Sequence, residues 1–180
     1  MTPRYVLLDR DGVINEDSAA FIKSPLEWQP IPGSLEAIAL LNDNGWKAVV
    51  ISNQSGLARG LLDEETLQQI HRKMRRKAEE MGGKIEAVYY CPHGPDDHCS
   101  CRKPKPGLLE RFAEDYHVEL TDLPFVGDSL RDIEAAITVG AQPILVKTGK
   151  GSETLAANPD INVPVFENLY EAANYIVSKS

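Results

Sequence analysis

The chain has 180 residues, which most simply form a single domain with a sizeable apolar core. Its 27 acidic and 19 basic residues give a formal net charge of −8, which disfavours binding to nucleic acid or to an anionic membrane. No apolar run approaches a bilayer span and the N-terminus lacks a signal-peptide pattern, so we expect a cytoplasmic protein.

Short apolar runs alternate with longer amphipathic segments along the chain. In chain order they predict strand 5–8, helix 34–44, strand 47–52, helix 63–81, strand 87–90, helix 106–116, strand 123–126, helix 130–139, strand 143–146, strand 163–166 and helix 169–177. The alternation predicts an α/β fold, with an open, mainly parallel, Rossmann-like sheet and helices on both faces. No linker or long insertion interrupts it, so we expect one domain over 1–180 without a large cap domain.

Polar side chains stand at the ends of three predicted strands. Asp9 and Asp11 follow the first strand, Ser52 and Asn53 lie at the end of the second, and Asp128 follows the fourth. Open α/β sheets bind ligands at the carboxyl ends of their strands, so these side chains should converge. Converging carboxylates repel one another unless a cation neutralises them, and oxygen ligands select Mg²⁺. The pattern therefore predicts a magnesium site.

A lysine would complete a site for phosphoryl transfer, in which positioning and charge stabilisation do most of the catalysis. Lys103 and Lys105 are the candidates from the residues alone. At this point the motifs resemble the haloacid-dehalogenase-like phosphatases, which carry four motifs in this order. Here they read "DRDG", "SNQSG", a lysine before the fourth strand, and "GDSLRD". Within that superfamily, "NQSGLARG" and "CRKPKPG" resemble the heptose-bisphosphate phosphatases, relatives of the histidinol-phosphatase domain.

The resemblance implies four catalytic roles. Asp9 would be the nucleophile that forms an aspartyl-phosphate. Asp11 would donate a proton to the leaving sugar oxygen and later accept one from water. Ser52 would grip the phosphoryl group, and Lys103 would stabilise it, because the family's lysine stands in an Arg-Lys-Pro sequence. Lys105 then falls at a variable position.

The resemblance also implies a metal site and a substrate. Mg²⁺ would be held by the Asp9 carboxylate, the backbone carbonyl of Asp11 and Asp128. A small phosphorylated sugar would contact a set of pocket residues: Arg102, Asn53, Gln54, Ser55, Asp17 and Ser129. Ser129 stands where the family often has a lysine, and "EDSAAFIK" stands where it often has a Gly-Tyr pair, so substrate contacts should differ here.

A Cys/His-rich loop at 91–101 reads "CPHGPDDHCSC". Three thiolates and an imidazole suit a structural Zn²⁺ site, and the resemblance implies the same order of ligands. The expected zinc ligands are Cys91, His93, Cys99 and Cys101. His98 competes with His93 for the imidazole position, and we prefer His93 because of the order.

Five further residues have open or ordinary interpretations. Asp132 either stabilises its helix or orients a neighbour, and Arg59 is either a surface charge or a phosphate contact. Lys150 is expected to be solvated, although its strand end faces the active edge. His71 and His117 are expected to be ordinary surface residues.

The function implied by the resemblance is Mg²⁺-dependent hydrolysis of the 7-phosphate of a heptose 1,7-bisphosphate through an aspartyl-phosphate. Its product would serve the synthesis of nucleotide-activated heptose for bacterial surface polysaccharide. One alternative is a phosphatase for histidinol phosphate or another small phosphoester, and a remote one is a phospho-accepting receiver. We expect a monomer with no nucleic-acid or membrane partner.

Overall fold

The computed structural model describes residues 2–180 and contains a parallel β-sheet flanked by helices. Its strands are β1 Arg4–Leu8, β2 Trp46–Asn53, β3 Ile85–Cys91, β4 Pro124–Gly127, β5 Gln142–Val146 and β6 Val165–Phe166. Its helices are α1 Ser34–Asp43, α2 Glu64–Glu80, α3 Gly107–Tyr116, α4 Leu130–Thr138, α5 Gly151–Ala157 and α6 Leu169–Ser178. A short 3₁₀ turn, Pro25–Glu27, precedes α1.

The strand order is β3-β2-β1-β4-β5-β6, and each neighbouring pair is parallel. From β1 the chain winds outward through β2 to β3, and it then returns to place β4 on the other side of β1. In open α/β sheets the crevice at such a reversal is where ligands bind. The predicted fold class is confirmed, and the topology directs attention to the carboxyl ends of β1 and β4.

Two apolar clusters sandwich the sheet. Val6 and Leu8 of β1 belong to the cluster formed with α1, α2 and α6. Tyr5 and Leu7 point to the opposite face and pack with α3 and α4. Successive side chains of a strand alternate between faces, so a strand covered by helices on both faces must be apolar throughout. This burial fixes β1 at the centre of the sheet, directly before Asp9.

The helix ends follow the expected chemistry. Asp63 begins α2 as its N-cap, with its carboxylate accepting a hydrogen bond of 2.8 Å from the backbone N–H of Thr66. Gly45 follows α1 with a φ of 86°, a conformation that glycine adopts without strain. None of the helices in residues 2–180 combines the length and apolar character of a membrane span.

Helix α5 was not predicted from the sequence. α5 covers Gly151–Ala157, and its sequence "GSETLAA" is short and carries little apolar periodicity. It is held instead by tertiary contacts, since the hydroxyl of Thr154 donates to the backbone carbonyl of Asp128 at 2.8 Å. β6 is also shorter than the predicted strand 163–166, because only Val165 and Phe166 pair with β5.

Candidate active site

The carboxyl ends of β1 and β4 bring the predicted carboxylates together. The backbone N–H of Asp9 donates to the carbonyl of Val126 at 3.0 Å, which continues the ladder with β4 one residue past the end of β1. This bond sets Asp9 beside Asp128. Both side chains line a polar pocket together with Asp11 and Lys103. The pocket also contains all six predicted substrate contacts: Asp17, Asn53, Gln54, Ser55, Arg102 and Ser129.

Lys103 lies at the base of this pocket with its ammonium group fully engaged. Its Nζ lies 3.0 Å from Oδ1 of Asp9 and 2.6 Å from Oδ1 of Asp132, and it donates to the carbonyl of Ile51 at 2.8 Å. The side chain is buried, and burial alone would lower the pKa of Lys103. The charges of Asp132 and Asp9 outweigh this effect and raise it above its ordinary value. Lys103 therefore stays charged next to Asp9.

Backbone and amide contacts position this lysine. Asn53, at the end of β2, accepts a hydrogen bond of 2.9 Å from the backbone N–H of Lys103 and donates one of 3.2 Å to its carbonyl. Lys105 instead donates to the carbonyl of Cys99 at 2.7 Å, in the Cys/His loop. Of the two lysines that the motif offered, the structure brings only Lys103 to the carboxylates.

Asp9 and Asp128 are poorly neutralised by the protein itself. Burial, followed by the charge of Asp132, raises the pKa of Asp9 well above its ordinary value, although Lys103 opposes the effect. Burial and Asp132 likewise raise the pKa of Asp128 to about 6. Two buried carboxylates with raised pKa values, next to one lysine already shared with Asp132, form a donor set that a hard divalent cation would stabilise.

Two glycines leave room for this pair. Gly12 and Gly149 have φ values of 84° and 57°, and a Cβ on either would overlap Oδ2 of Asp128. The backbone N–H of Lys150 donates to the same oxygen at 2.9 Å, while the Lys150 side chain is 54% exposed. The close approach of backbone to Asp128, together with the oxygen donors, fits a compact Mg²⁺ site.

Asp132 has both of the roles that the sequence left open. Its Oδ2 accepts from the backbone N–H groups of Asp128 and Ser129, each at 3.2 Å, and from the Ser129 hydroxyl at 3.0 Å. Ser129 and Asp132 thereby form a capping box that begins α4. Burial would raise the pKa of Asp132, but Lys103 outweighs it and lowers the pKa. Asp132 is thus an ionised partner that orients Lys103.

Asp11 is held mainly by a residue that was not predicted to belong to the site. Arg10 is fully buried, and its Nε and Nη2 each lie 2.8 Å from Oδ1 of Asp11. Burial would raise the pKa of Asp11, but Arg10 outweighs it, and hydrogen bonds from Asn15 and Gln54 add to the lowering. An arginine between two aspartates is normally interpreted as a solvated charge. The sequence around Arg10 contains no signal that its side chain is buried.

The expectation that His71 lies on the surface is wrong. The residue is 4% exposed, and its Nε2 lies 3.1 Å from Nη1 of Arg10. Burial, then the charge of Arg10, lowers its pKa to about 3, so the ring is neutral. The spacing contained a signal for this position, since His71 lies four residues after Leu67 and three before Met74, both of which are buried. His117 is exposed, as expected.

Ser52 is the predicted site residue that the structure sets apart from the pocket surface. It is fully buried, and its hydroxyl accepts a hydrogen bond of 2.7 Å from Nε2 of Gln54. The same amide nitrogen lies 3.3 Å from Oδ2 of Asp11. Gln54 therefore stands between the serine hydroxyl and Asp11 in this state of the protein.

Three arginines are among the residues that line the pocket. Arg59, Arg102 and Arg131 all line it, and Arg131 was not singled out in the sequence although it lies within "GDSLRD". Burial, then the charge of Arg131, lowers the pKa of Arg102, although the charges of Cys91 and Cys99 oppose this effect. Arg59 stacks over the ring of Phe21 at 5.3 Å. An excess of positive charge around a pocket attracts anionic ligands.

The four expected zinc ligands form a compact cluster. Their donor atoms all lie within 4.8 Å of one another, and Sγ of Cys91 is 3.6 Å from Sγ of Cys99. Nδ1 of His93 lies 3.5 Å from the Cys91 sulfur and 3.4 Å from that of Cys101. The edges of a tetrahedral zinc site with these ligands measure about 3.5–3.8 Å. The donors and their spacing therefore fit Zn²⁺, and His98 is not part of the cluster.

The Cys/His cluster is joined to the pocket through the backbone. The guanidinium of Arg102 donates to the carbonyl of His93 at 3.3 Å, and Lys103 follows directly in the chain. A ligand that ordered the Cys/His cluster would therefore also order the segment that carries Arg102 and Lys103.

The chain resembles proteins of known function over nearly its full length. Residues 100–172 match the Hydrolase_like family model, described as HAD-hyrolase-like. A D-glycero-beta-D-manno-heptose-1,7-bisphosphate 7-phosphatase of Bordetella bronchiseptica is 56% identical over 153 residues, which are 85% of this chain and 86% of that protein. The protein of the same name from Pseudomonas putida is 50% identical over 174 residues, 97% of this chain and 99% of its own.

A solved structure agrees with these relatives. The crystal structure of D,D-heptose 1,7-bisphosphate phosphatase from B. bronchiseptica, complexed with magnesium and phosphate, matches with a TM-score of 0.95 at 50% identity. The match covers 98% of this chain and 99% of that one. The similarity thus includes every strand and helix that contributes to the pocket.

Proposed function

Since the chain belongs to the HAD-like hydrolases and, within them, to the D-glycero-beta-D-manno-heptose-1,7-bisphosphate 7-phosphatases, we propose that it hydrolyses the 7-phosphate of that sugar bisphosphate. The observation that carries the proposal is the position of Asp9 in the pocket, 3.0 Å from the ammonium group of Lys103 and two residues before Asp11 in the chain. The pocket therefore contains a nucleophile in Asp9, a positive charge for the transferring phosphoryl group in Lys103, and a second carboxylate for proton transfer in Asp11.

In the first step a carboxylate oxygen of Asp9 attacks phosphorus and the bond to the sugar oxygen breaks, which leaves an aspartyl-phosphate. Asp11 must carry a proton in the substrate complex, although in the free protein Arg10 outweighs burial and lowers its pKa, and it gives that proton to the departing sugar oxygen. Lys103 stabilises the negative charge on the phosphoryl oxygens, since its Nζ already lies beside Asp9. Ser52 can contribute its hydroxyl once Gln54 releases it.

In the second step Asp11 takes a proton from water, the water oxygen attacks phosphorus, and the bond to Asp9 breaks. Inorganic phosphate leaves and both aspartates return to their starting forms. Asp9, Asp128 and the backbone carbonyl of Asp11 would hold Mg²⁺, and the bound ion would supply positive charge to the transferring phosphoryl group. The donor set of the pocket supports this assignment.

The part of the sugar bisphosphate that does not react carries the 1-phosphate, and the pocket contains positive charges that could bind it. Arg102, Arg59 and Arg131 line the same pocket as Lys103 and provide further positive charge there. Further substrate contacts are proposed for side chains that line the same pocket: Asp17, Asn53, Gln54, Ser55 and Ser129. Arg131 can replace the charge of the lysine that the family often has at position 129.

We also propose that Cys91, His93, Cys99 and Cys101 bind a structural Zn²⁺. The proposal is supported by the separations of their sulfur and nitrogen atoms, which match a tetrahedral site. The ion would hold the 91–101 loop in place and, through it, Arg102 and Lys103. A cytoplasmic monomer that acts in nucleotide-activated heptose synthesis remains our proposal for the cellular setting.

A comparison of substrates tests the function. Initial rates of phosphate release would be measured with Mg²⁺ for both anomers of the heptose 1,7-bisphosphate, for histidinol phosphate and for hexose monophosphates. We expect the highest kcat/KM for a heptose bisphosphate, and loss of the 7-phosphate rather than the 1-phosphate by NMR of the product. A preference for histidinol phosphate would refute the substrate assignment, and a long-lived phospho-protein without turnover would refute the phosphatase.

A further inference from the structure

A buried chain of polar contacts lies behind the pocket and joins Asp11, Arg10 and His71. Arg10 is fully buried, so its guanidinium charge must be neutralised and hydrogen-bonded inside the protein. Asp11 neutralises it on one side, and the neutral ring of His71 contacts it on the other. None of the catalytic steps above uses Arg10 or His71.

The two carboxylate oxygens of Asp11 differ in their surroundings. Oδ1 has two nitrogens of Arg10 at 2.8 Å and accepts a further hydrogen bond of 2.9 Å from Asn15. Oδ2 has only the long contact of 3.3 Å with Gln54. Oδ1 thus accepts two hydrogen bonds, from Nε of Arg10 and from Asn15, and has Nη2 of Arg10 in ion-pair contact, whereas Oδ2 retains capacity for a proton or for a substrate oxygen. The proton chemistry of Asp11 is therefore assigned to Oδ2.

His71 is more than a space-filling residue. Its neighbours on the buried stripe of α2 are apolar: Leu67, Ile70, Met74 and Ala78. Nδ1 of His71 is buried without a hydrogen-bond partner among the described residues, a cost that an apolar side chain would avoid. What an imidazole adds here is the acceptor Nε2, 3.1 Å from Nη1 of Arg10. The neutral ring can accept there while its proton resides on Nδ1.

We propose that His71 is a positioning residue for the reaction: it holds the guanidinium of Arg10 against Oδ1 of Asp11, so that Oδ2 faces the leaving oxygen. The inference rests on the proposed phosphatase function and identifies the support that its proton donor needs. A proton donor must lie within hydrogen-bond reach of the leaving oxygen, and small displacements of such groups reduce rates strongly.

The test compares leaving groups. A sugar or other alkyl phosphate needs a proton on its leaving oxygen, whereas p-nitrophenyl phosphate releases a stable anion without one. The quantity measured is kcat/KM, which reports the step that breaks the bond to the leaving group. His71→Leu removes the acceptor, and His71→Gln retains one on a side chain of similar reach. Met74→Ala is the control, since it shortens a buried apolar side chain on the same stripe of α2 and leaves the imidazole of His71 in place.

We expect His71→Leu to lower kcat/KM for the alkyl phosphate by about tenfold or more, and for p-nitrophenyl phosphate by less than about threefold. His71→Gln should recover most of the loss, and Met74→Ala should affect both substrates equally. An equal loss for both substrates with folded His71→Leu, or no loss at all, would overturn the inference. If His71→Leu does not fold, His71→Asn, whose amide is too short to reach Arg10, provides the same comparison with His71→Gln.

The test of His71 can be separated from the test of the proposed function, because any alkyl phosphate that the unmodified protein hydrolyses can be compared with p-nitrophenyl phosphate. A protein that hydrolyses simple phosphates but not the heptose bisphosphate would refute the substrate and leave this test intact. A protein that hydrolyses no phosphate ester would refute both.

Discussion

The carboxylate pocket and the Cys/His loop are both clusters of metal-binding side chains, but the protein builds them in different ways. Asp9 and Asp128 follow central strands of the sheet, and the backbone bond from Asp9 to Val126 ties them together. In the loop only Cys91 is well buried, and His93 is exposed. The pocket is thus positioned by the apolar core, whereas most of the loop between Cys91 and Cys99 is exposed.

This difference indicates how each region should respond to a lost contact. In the pocket, the sheet maintains the geometry, so removal of a side chain should affect chemistry first and structure only where a buried charge is left unpaired. In the loop, the proposed metal supplies the order, so its removal should loosen the structure and reach the chemistry indirectly.

The largest effect is expected from Asp9→Asn. The variant loses the attacking carboxylate but keeps its size, so turnover should fall by at least about 10⁴-fold. The sheet should fold normally, because β1 and β4 do not depend on the charge of Asp9. Steady-state rates and circular dichroism would be compared with those of Asp160→Asn, an exposed substitution far along the chain. Residual activity within tenfold of the unmodified protein would contradict the nucleophile assignment.

The next effect distinguishes the two lysines of the "CRKPKPG" motif. Lys103→Met leaves Asp9 and Asp132 buried without their shared cation, which should cost about 3–5 kcal/mol of unfolding free energy and abolish turnover. Lys105→Met removes only an exposed contact with the carbonyl of Cys99 and should leave the unfolding midpoint nearly unchanged. Denaturant unfolding and phosphate release measure both. Similar losses of stability and turnover in the two variants would contradict the assignment of Lys103 as the lysine of the active site.

Loss of the proposed zinc should have a smaller and indirect effect. Cys101→Ser should lower the zinc content from about one ion per chain, speed proteolysis within 91–101 and raise KM through Arg102. A reduction of kcat smaller than the change in KM would fit a structural ion. Metal analysis and limited proteolysis check this, and His98→Ser serves as control because His98 is outside the cluster. Zinc-free protein with an ordered loop would refute the proposal.

The smallest effect concerns the layer behind the pocket. The pKa of His71, about 3 because of burial and Arg10, lies below its ordinary 6.5. The folded protein therefore binds this proton less readily than the unfolded chain does. The stability that the neutral ring contributes is complete above about pH 6.5 and is lost as the pH falls from there toward 3.

Unfolding free energies at several pH values would reveal this contribution. Between pH 7 and pH 5 the unmodified protein should lose about 2 kcal/mol more than His71→Gln, which has no group titrating in that range. The comparison cancels the carboxylates that the two proteins share. Parallel stability curves would show that His71 is protonated or exposed in the folded state.

Local patterns in the sequence were sufficient for the parts of the molecule that local chemistry determines. The strands, most helix ends and the residues after β1, β2 and β4 follow from apolar periodicity and from the rule that parallel strands end at one edge. α5 was missed because a short polar segment is held by tertiary contacts such as Thr154 to Asp128. A local window does not contain those contacts.

The misjudged side chains have a similar cause. Arg10 and His71 are 61 positions apart, and each is polar enough to read as a surface residue. Only their contact inside the fold makes burial acceptable for both. The role of Asp132 stayed open because Lys103, the partner that it orients, lies 29 positions away on another segment. Long-range polar pairs of this kind are the part of a site that one sequence hides.

The central claim is that Asp9 carries the phosphoryl group during turnover. Rapid acid quench of the protein mixed with Mg²⁺ and the heptose bisphosphate, followed by mass spectrometry of its peptides, tests this directly. We predict a transient phosphoryl adduct on Asp9 that forms and decays at rates compatible with kcat and is absent in Asp9→Asn. An adduct on another residue, or full turnover by Asp9→Asn, would contradict the account.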